Sequence, residues 1–282
     1  MMKKVTIFML SLAMTAAMLS GCSSSNDSSS SSTAETTTAA ETTVADETTE
    51  TEAAEETSQE ETVDEEENYD TGDASLDNIR NQDEIGEQEL LVLSFGTSYN
   101  DSRRLTVGAI ENDLESAFPD FSVRRGFTSN IIIDHVNKRD NVLIDDVDAA
   151  MNRAVDNGVK TLVVQPTHLM HGAEYDELVG ELDAYKDKFE KVVVAEPLLG
   201  EVGDDATVIN DDKKAVAEDI TAEAVKTAGY DSLDAAKKDG TAFVFMGHGT
   251  SHSAKVSYSQ MSTQMDKLGY DNVFIGTVEG EP

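Results

Sequence analysis

Apolar positions along residues 87–282 fall into two alternating registers. Short, nearly unbroken apolar runs occur at Leu90–Phe95, Phe121–Phe127, Lys160–Gln165, Lys191–Ala195, Ala242–Met246 and Asn272–Val278. Each is bounded by glycine or polar residues, as expected of strands buried on both faces of a parallel sheet. Between them lie stretches of helical period. Asn100, Asp101 and Ser102 offer caps for a helix through Phe118, with Leu105, Ile110, Leu114 and Phe118 near one face. Ile131–Val136 predicts a short helix, and Asp145–Asn157 a longer one that carries Val147, Met151 and Val155 on one side before Gly158. Ala173–Phe189, Asp211–Ala228 and Ser253–Leu268 complete the helical set. Strands alternating with helices predict an α/β fold with a doubly wound parallel sheet.

Two strand ends echo each other: LSFGTS at Leu93–Ser98 and MGHGTS at Met246–Ser251. The echo predicts two similar halves, 87–205 and 206–282. The second offers fewer strands than the first, so it reads as incomplete, with one sheet edge and one face left open. Either a fragment or a natural truncation accounts for that reading.

The first 86 residues have a different character. Lys3 and Lys4 precede the apolar run Val5–Leu19 and the small residues before Cys22. This is the layout of a secretory leader over residues 1–21, and the run is shorter than the roughly 20 residues that span a bilayer. Cys22 directly after small residues matches a bacterial lipobox, so acylation at Cys22 and a lipid-anchored, extracytoplasmic protein are expected. Because Cys22 is the single cysteine, no intrachain disulfide and no cysteine-based metal site can form. Residues 22–86, rich in Ser, Thr and Glu, read as a disordered acidic tether. The tether holds much of the formal charge of −35. That acidity excludes nucleic acid and anionic membrane surfaces as partners, beyond the lipid anchor itself.

The strongest chemical signal is Thr241–His252, TAFVFMGHGTSH. A buried strand ending in Gly-His-Gly delivers an imidazole to the C-terminal edge of the sheet, where α/β folds bind ligands. A neutral imidazole can bind a divalent transition ion or accept a proton near neutral pH. Glu279, at the end of the next strand, could face the same cleft, but on its own it reads as a solvated charge. His168 and His171 follow the third strand at the same edge, and an H-x-x-H pair needs further ligands before it makes a metal site. His135 reads as packing, and His252 as a helix cap or a solvent-facing group.

With these motifs in place, the chain resembles the anaerobic cobalt chelatases, the sirohydrochlorin cobaltochelatase family of class II tetrapyrrole chelatases. The resemblance rests on LVLSFGTSYNDSRR, VRRGFTSNII, VVQPTHLMHGAEYDEL, FVFMGHGTSH and NVFIGTVEGEP, in the family's order. It implies insertion of Co2+, with iron or nickel as other candidate ions, into sirohydrochlorin or a related tetrapyrrole in cobalamin biosynthesis. It also implies that His248 and Glu279 hold the metal, with a second histidine placed beyond Pro282. A substrate with eight carboxylates needs cations and N–H donors. Thr97, Ser98, Arg104, Arg125, His168, Thr250 and Ser251 are the expected contacts, with Arg103, Arg124 and Lys255 nearby. Strand alternation sends Arg124 and Arg125 to opposite faces, so at most one enters the cleft. The same cleft on a surface lipoprotein that holds a tetrapyrrole or metal without turnover is the alternative, and a homo-oligomer is left open.

Overall fold

The computed structural model describes the backbone of Thr6–Phe8 and residues 70–280. The expectations of a leader peptide, of acylation at Cys22 and of a disordered tether concern sequence that, Thr6–Phe8 aside, lies outside the described residues up to position 69.

The first sheet comprises β2 (Gln88–Ser94), β3 (Ser122–Phe127), β4 (Thr161–Pro166) and β5 (Lys191–Val194). Its order is β3-β2-β4-β5, with every pair parallel. The central strand β2 is buried at consecutive positions because helices cover both of its faces. On one face Leu91 and Leu93 pack with Met151 and Ala154 of α4 (Val147–Asp156) and with Leu178 and Leu182 of α5 (Ala173–Leu182). On the other, Leu90, Val92 and Val123 meet Leu114 and Phe118 at the end of α2 (Gly108–Ala117). Asp146 caps α4 by accepting from the Ala149 amide at 2.7 Å.

The second sheet pairs β6 (Phe243–Gly247) with β7 (Val273–Thr277), again parallel. A three-residue strand, β1 (Thr6–Phe8), lies along the other edge of β6, giving the order β1-β6-β7. Phe243, Phe245 and Val273 share a core with Ala217, Ile220 and Ala224 of α6 (Asp211–Thr227) and with Met261 and Met265 of α8 (Val256–Lys267). The two parallel sheets therefore carry the α/β architecture read from the sequence. The internal echo has a backbone counterpart as well. Gly96 and Gly249 occupy matching places after β2 and β6, with φ of +102° and +94°, a region open to glycine at little cost.

Four details differ from the expected pattern. The helix after β2 begins as α1 (Asn100–Ser102) and passes through a π-turn at Arg103–Val107 before α2. The helix begun at Ala173 gives way at Asp183 to a 3-10 segment that runs to Lys188. A short helix, α7 (Leu233–Lys238), capped by Ser232 onto the Ala235 amide, had no clear signal in the sequence. α3 (Asn130–Asp140) extends past the anticipated Val136 and stops at Asn141, whose φ of 54° closes the helix in the left-handed region.

The tether assigned to 22–86 requires a correction at its C-terminal end. Residues 70–86 are folded against the first half. Asp77 accepts from Arg103 at 2.6 Å and from Arg125 at 2.7 Å, while Asn100 donates to the Gly72 carbonyl at 3.1 Å. Ile85 and Ile79 pack at the rims of two of the first-half clusters. The stretch lacks apolar periodicity because charge, more than apolar burial, fastens it in place.

Candidate metal-insertion site

β6 ends at Gly247 and the chain turns through His248 and Gly249. The parallel ladder to β7 continues past the strand ends: the Val278 amide donates to the Gly247 carbonyl at 3.0 Å, and the Glu279 amide donates to the His248 carbonyl at 2.8 Å. These bonds place His248 and Glu279 side by side at the C-terminal edge of the sheet, both exposed. Gly249 makes that approach possible, since a Cβ there would sit 1.8 Å from the Glu279 carbonyl oxygen. Gly247 is equally constrained, because a Cβ at that position would lie 2.2 Å from the Tyr258 ring. The Tyr258 hydroxyl in turn accepts from the Gly249 amide at 3.3 Å, so a buried side chain of α8 holds the loop from beneath.

His248 Nδ1 lies 3.1 Å from the Gly249 carbonyl. A carbonyl can only accept, so Nδ1 is the donor in this contact, and in the neutral ring Nε2 would be the nitrogen with the lone pair. That is the tautomer a metal ligand or proton acceptor needs. Thr250 Oγ1 accepts from the His252 amide at 3.1 Å, and Ser251 is exposed beside it. His252 caps the following 3-10 turn, Ser253–Lys255, through Nδ1 to the Ala254 amide at 3.2 Å. Its Nε2 stands 3.8 Å from an Asp176 carboxylate oxygen, linking the two halves.

The loop after β4 lies against these strand ends. Met170 packs with Ala254, Tyr258 and Ile275. A pocket of about 210 Å³ opens beside Gly247, lined by Leu169, Leu198, Phe245, Met246, Tyr258 and Ile275 among others. Its lining is apolar and does not include His248 or Glu279. It is smaller than the roughly 300–1,000 Å³ of sites that enclose a drug-sized ligand, so it can take an edge of a macrocycle and not the whole. His168, at the mouth of this loop, is buried with neither ring nitrogen hydrogen-bonded among the described residues, and burial pushes its imidazole pKa down. His171 turns elsewhere and touches the Glu196 carboxylate. His135, on α3, is half-buried.

Of the expected cationic contacts, Arg125 and the neighbouring Arg103 are committed to partners inside the first half. Arg125 is fully buried and spent within the first half, with Nε on Glu111 and Nη1 on Asp77, both at 2.7 Å. Desolvation alone would lower its pKa, but the Glu111 and Asp77 bonds raise it. Arg103 is buried against Asp77 and Asn100. Neither guanidinium can grip a substrate carboxylate without breaking those pairs. Arg124 is buried beside Glu89, its two Nη atoms without hydrogen-bond partners among the described residues. Arg104 is half-exposed and pairs with Asp101 at 3.0 Å. The Thr97 and Ser98 carbonyls accept from Arg103 and Arg139, so both side chains belong to a loop fixed within the first half. Lys255 stays exposed at the start of α8.

Sequence reading overlooked Asp77, Glu111 and Lys213, the buried charges that fix the loops. It also overlooked Glu196 and Glu201, which the fold brings to His171. The acidic partners gave no signal because their basic or imidazole partners lie tens of residues away in sequence.

Comparison with known proteins bears on this arrangement. A family profile described as cobalt chelatase (CbiK) matches residues 88–282. The chain is 31% identical over 193 residues to the sirohydrochlorin cobaltochelatase of Salmonella typhimurium, covering 68% of this chain and 66% of that one. It is 29% identical over 214 residues to the sirohydrochlorin cobaltochelatase CbiKC of Nitratidesulfovibrio vulgaris, covering 73% and 67%. The chain thus spans about two thirds of the curated relatives it matches. A crystal structure of a cobalamin biosynthesis CbiX protein from Marinobacter aquaeolei aligns with a TM-score of 0.32 at 17% identity, over 50% of this chain and 98% of that one. With the family profile spanning every strand from β2 to β7, this chain belongs to the cobalt chelatase (CbiK) family.

Proposed function

We propose that the chain serves insertion of Co2+ into sirohydrochlorin or a closely related tetrapyrrole, with His248 and Glu279 as the residues that meet the ion. The observation that supports this reading is the extended β6–β7 ladder, which brings the backbones of His248 and Glu279 together at one sheet edge, with both residues exposed. Its relatives' names supply the substrate class.

Metal insertion into a free-base macrocycle exchanges one divalent ion for two pyrrole protons. Nε2 of His248 can bind the incoming ion or accept the first proton. The Glu279 carboxylate offsets the ion's charge and passes protons to solvent, which it reaches directly because it is exposed. The apolar pocket beside Gly247 receives one edge of the ring, and Thr250, Ser251 and Lys255 are the polar groups closest in sequence to meet its carboxylates. The test is an anaerobic spectrophotometric insertion assay with Co2+, and with Fe2+ and Ni2+ in parallel. His248→Ala should lower the rate on the order of a hundredfold or more, and Glu279→Gln should lower it as well, with circular dichroism unchanged in both. A folded His248→Ala protein at wild-type rate sinks the assignment. Tetrapyrrole binding by the wild type with no metallation would instead establish a carrier that holds the ring without turnover.

The same proposal extends to location: export, cleavage before Cys22 and acylation there, supported by the lipobox-like sequence. Detergent-phase partitioning should be lost in Cys22→Ser, and equal partitioning of the two proteins would refute the anchor.

A further inference from the structure

We infer a second cation site, separate from the His248–Glu279 pair, formed by His171, Glu196 and Glu201 with a first-row divalent transition ion as its ligand. His171 lies between β4 and α5, Glu196 just past β5, and Glu201 further along the same loop. One ligand atom from each, an imidazole nitrogen and two carboxylate oxygens, all fall within 4.8 Å of one another. Among the described residues this is the one cluster of three such groups.

The electrostatics call for a cation. Two carboxylates share this space, and among the described residues neither has a lysine or arginine as ion-pair partner. His171 alone touches Glu196. A divalent ion would relieve the repulsion that a neutral imidazole leaves in place.

The scaffold is fixed before any ion arrives. The His171 ring stands 4.4 Å from the Tyr175 ring, centroid to centroid. The amides of Leu198 and Leu199 donate to the carbonyls of His168 and Leu169, at 3.1 and 2.9 Å, which ties the two ligand-bearing loops together. Lys213, fully buried, donates through Nζ to the Leu199 and Glu201 carbonyls at 2.7 and 3.0 Å, and Asn210 Nδ2 bonds the same two oxygens. A buried ammonium spent on backbone carbonyls of this loop holds Glu201 in position. His168, nine-tenths buried and without a hydrogen-bond partner on either ring nitrogen among the described residues, meets the same Tyr175 ring at 6.5 Å. An uncommitted imidazole thus stands in the same loop cluster. One nitrogen and two carboxylate oxygens suit Co2+, Zn2+ or Ni2+ better than Mg2+, and three protein ligands leave positions for water.

The site is tested without any tetrapyrrole, so its outcome is independent of the insertion reading. Full-length protein carrying His248→Ala, stripped by chelation, is titrated with Co2+ alone and followed by visible d–d absorption and calorimetry. One equivalent should bind with a d–d spectrum of mixed nitrogen and oxygen ligation. Adding His171→Ala should weaken binding about tenfold or more, and Glu201→Gln, an isosteric change at an exposed position, should do the same if the alanine variant misfolds. Absence of Co2+ binding in the His248→Ala background, or unchanged affinity in both further variants, overturns the site and leaves His171–Glu196 a simple hydrogen-bonded pair.

Discussion

At the scale of single residues, buried charge decides more than apolar contact does. Asp77 answers two buried guanidinium groups at once. Burial by itself would push the Asp77 carboxyl pKa up, yet hydrogen bonds and charge from Arg125 and Arg103 hold it below the usual range. Asp77→Asn keeps the shape and removes the charge, leaving Arg103 without an acidic partner. The expected loss is about 3–5 kcal/mol of unfolding free energy, read from urea denaturation; a loss within error of zero would mean the network is not closed in solution. Glu89 shows the opposite sign. It is buried, and desolvation pushes its carboxyl up to about 7 despite Arg124 nearby. Between its unfolded value of about 4.5 and about 7 the native state holds a proton that the unfolded chain has released. Stability from this group is therefore present at low pH and falls as pH rises through that window, on the order of 3 kcal/mol in total. Glu89→Gln should flatten the corresponding slope between about pH 5 and about pH 8, and an unchanged slope would assign it to other groups.

At the scale of elements, the strands and the GHG loop were legible because each is local. Leu90–Phe95 and Ala242–Met246 announce themselves through consecutive apolar residues ended by glycine, and the structure places β2 and β6 there. The role of Arg125 was not legible. It sits in a strand motif whose positive charge suggested a ligand contact, while its partners Asp77 and Glu111 are set by the fold, with Asp77 48 residues away in sequence. Residues 70–86 were misassigned for the same reason: composition marked them as tether, and ion pairs fasten them down. Removing residues 1–69 should lower the melting temperature only slightly, through the three-residue pairing of Thr6–Phe8 with β6. Removing 1–86 should lower it markedly by stripping Asp77 from Arg103 and Arg125, and equal melting of the two forms would return 70–86 to the tether. The GHG loop permits a sharper contrast. Gly249→Ala puts a methyl into the Glu279 backbone at φ +94°, whereas Gly158→Ala at φ +72° meets no neighbouring atom. Both should cost on the order of 1–3 kcal/mol in backbone strain. Only Gly249→Ala should also abolish metal insertion, because it displaces Glu279 from His248.

At the scale of the whole molecule, the two halves are variations on one sheet. In the first, the leading strand β2 has the next strand, β3, on one side and the third, β4, on the other. In the second, the leading strand β6 has the next strand, β7, on one side, and the place matching β4 is taken by Thr6–Phe8. Three residues pair there, Thr6 with Phe243 through Phe8 with Phe245, where β4 pairs six with β2. Among the described residues, the second sheet is therefore paired over fewer positions at that edge than the first, and it carries the strand that presents His248. If export removes residues 1–21, β6 loses its neighbour on that side. Hydrogen exchange on the full chain and on a form beginning at Cys22 should then differ in one region. Amides of Phe243–Gly247 should exchange faster in the shorter form, while those of Leu90–Ser94, enclosed by β3 and β4 in both, should not change. Because an open parallel edge is also a template for pairing, the shorter form should self-associate as concentration rises, measured by sedimentation. Equal protection of Phe243–Gly247 in the two forms would show that Thr6–Phe8 contributes nothing to the edge, and that β6 and β7, with α6 and α8 packed on them, hold the GHG loop without it.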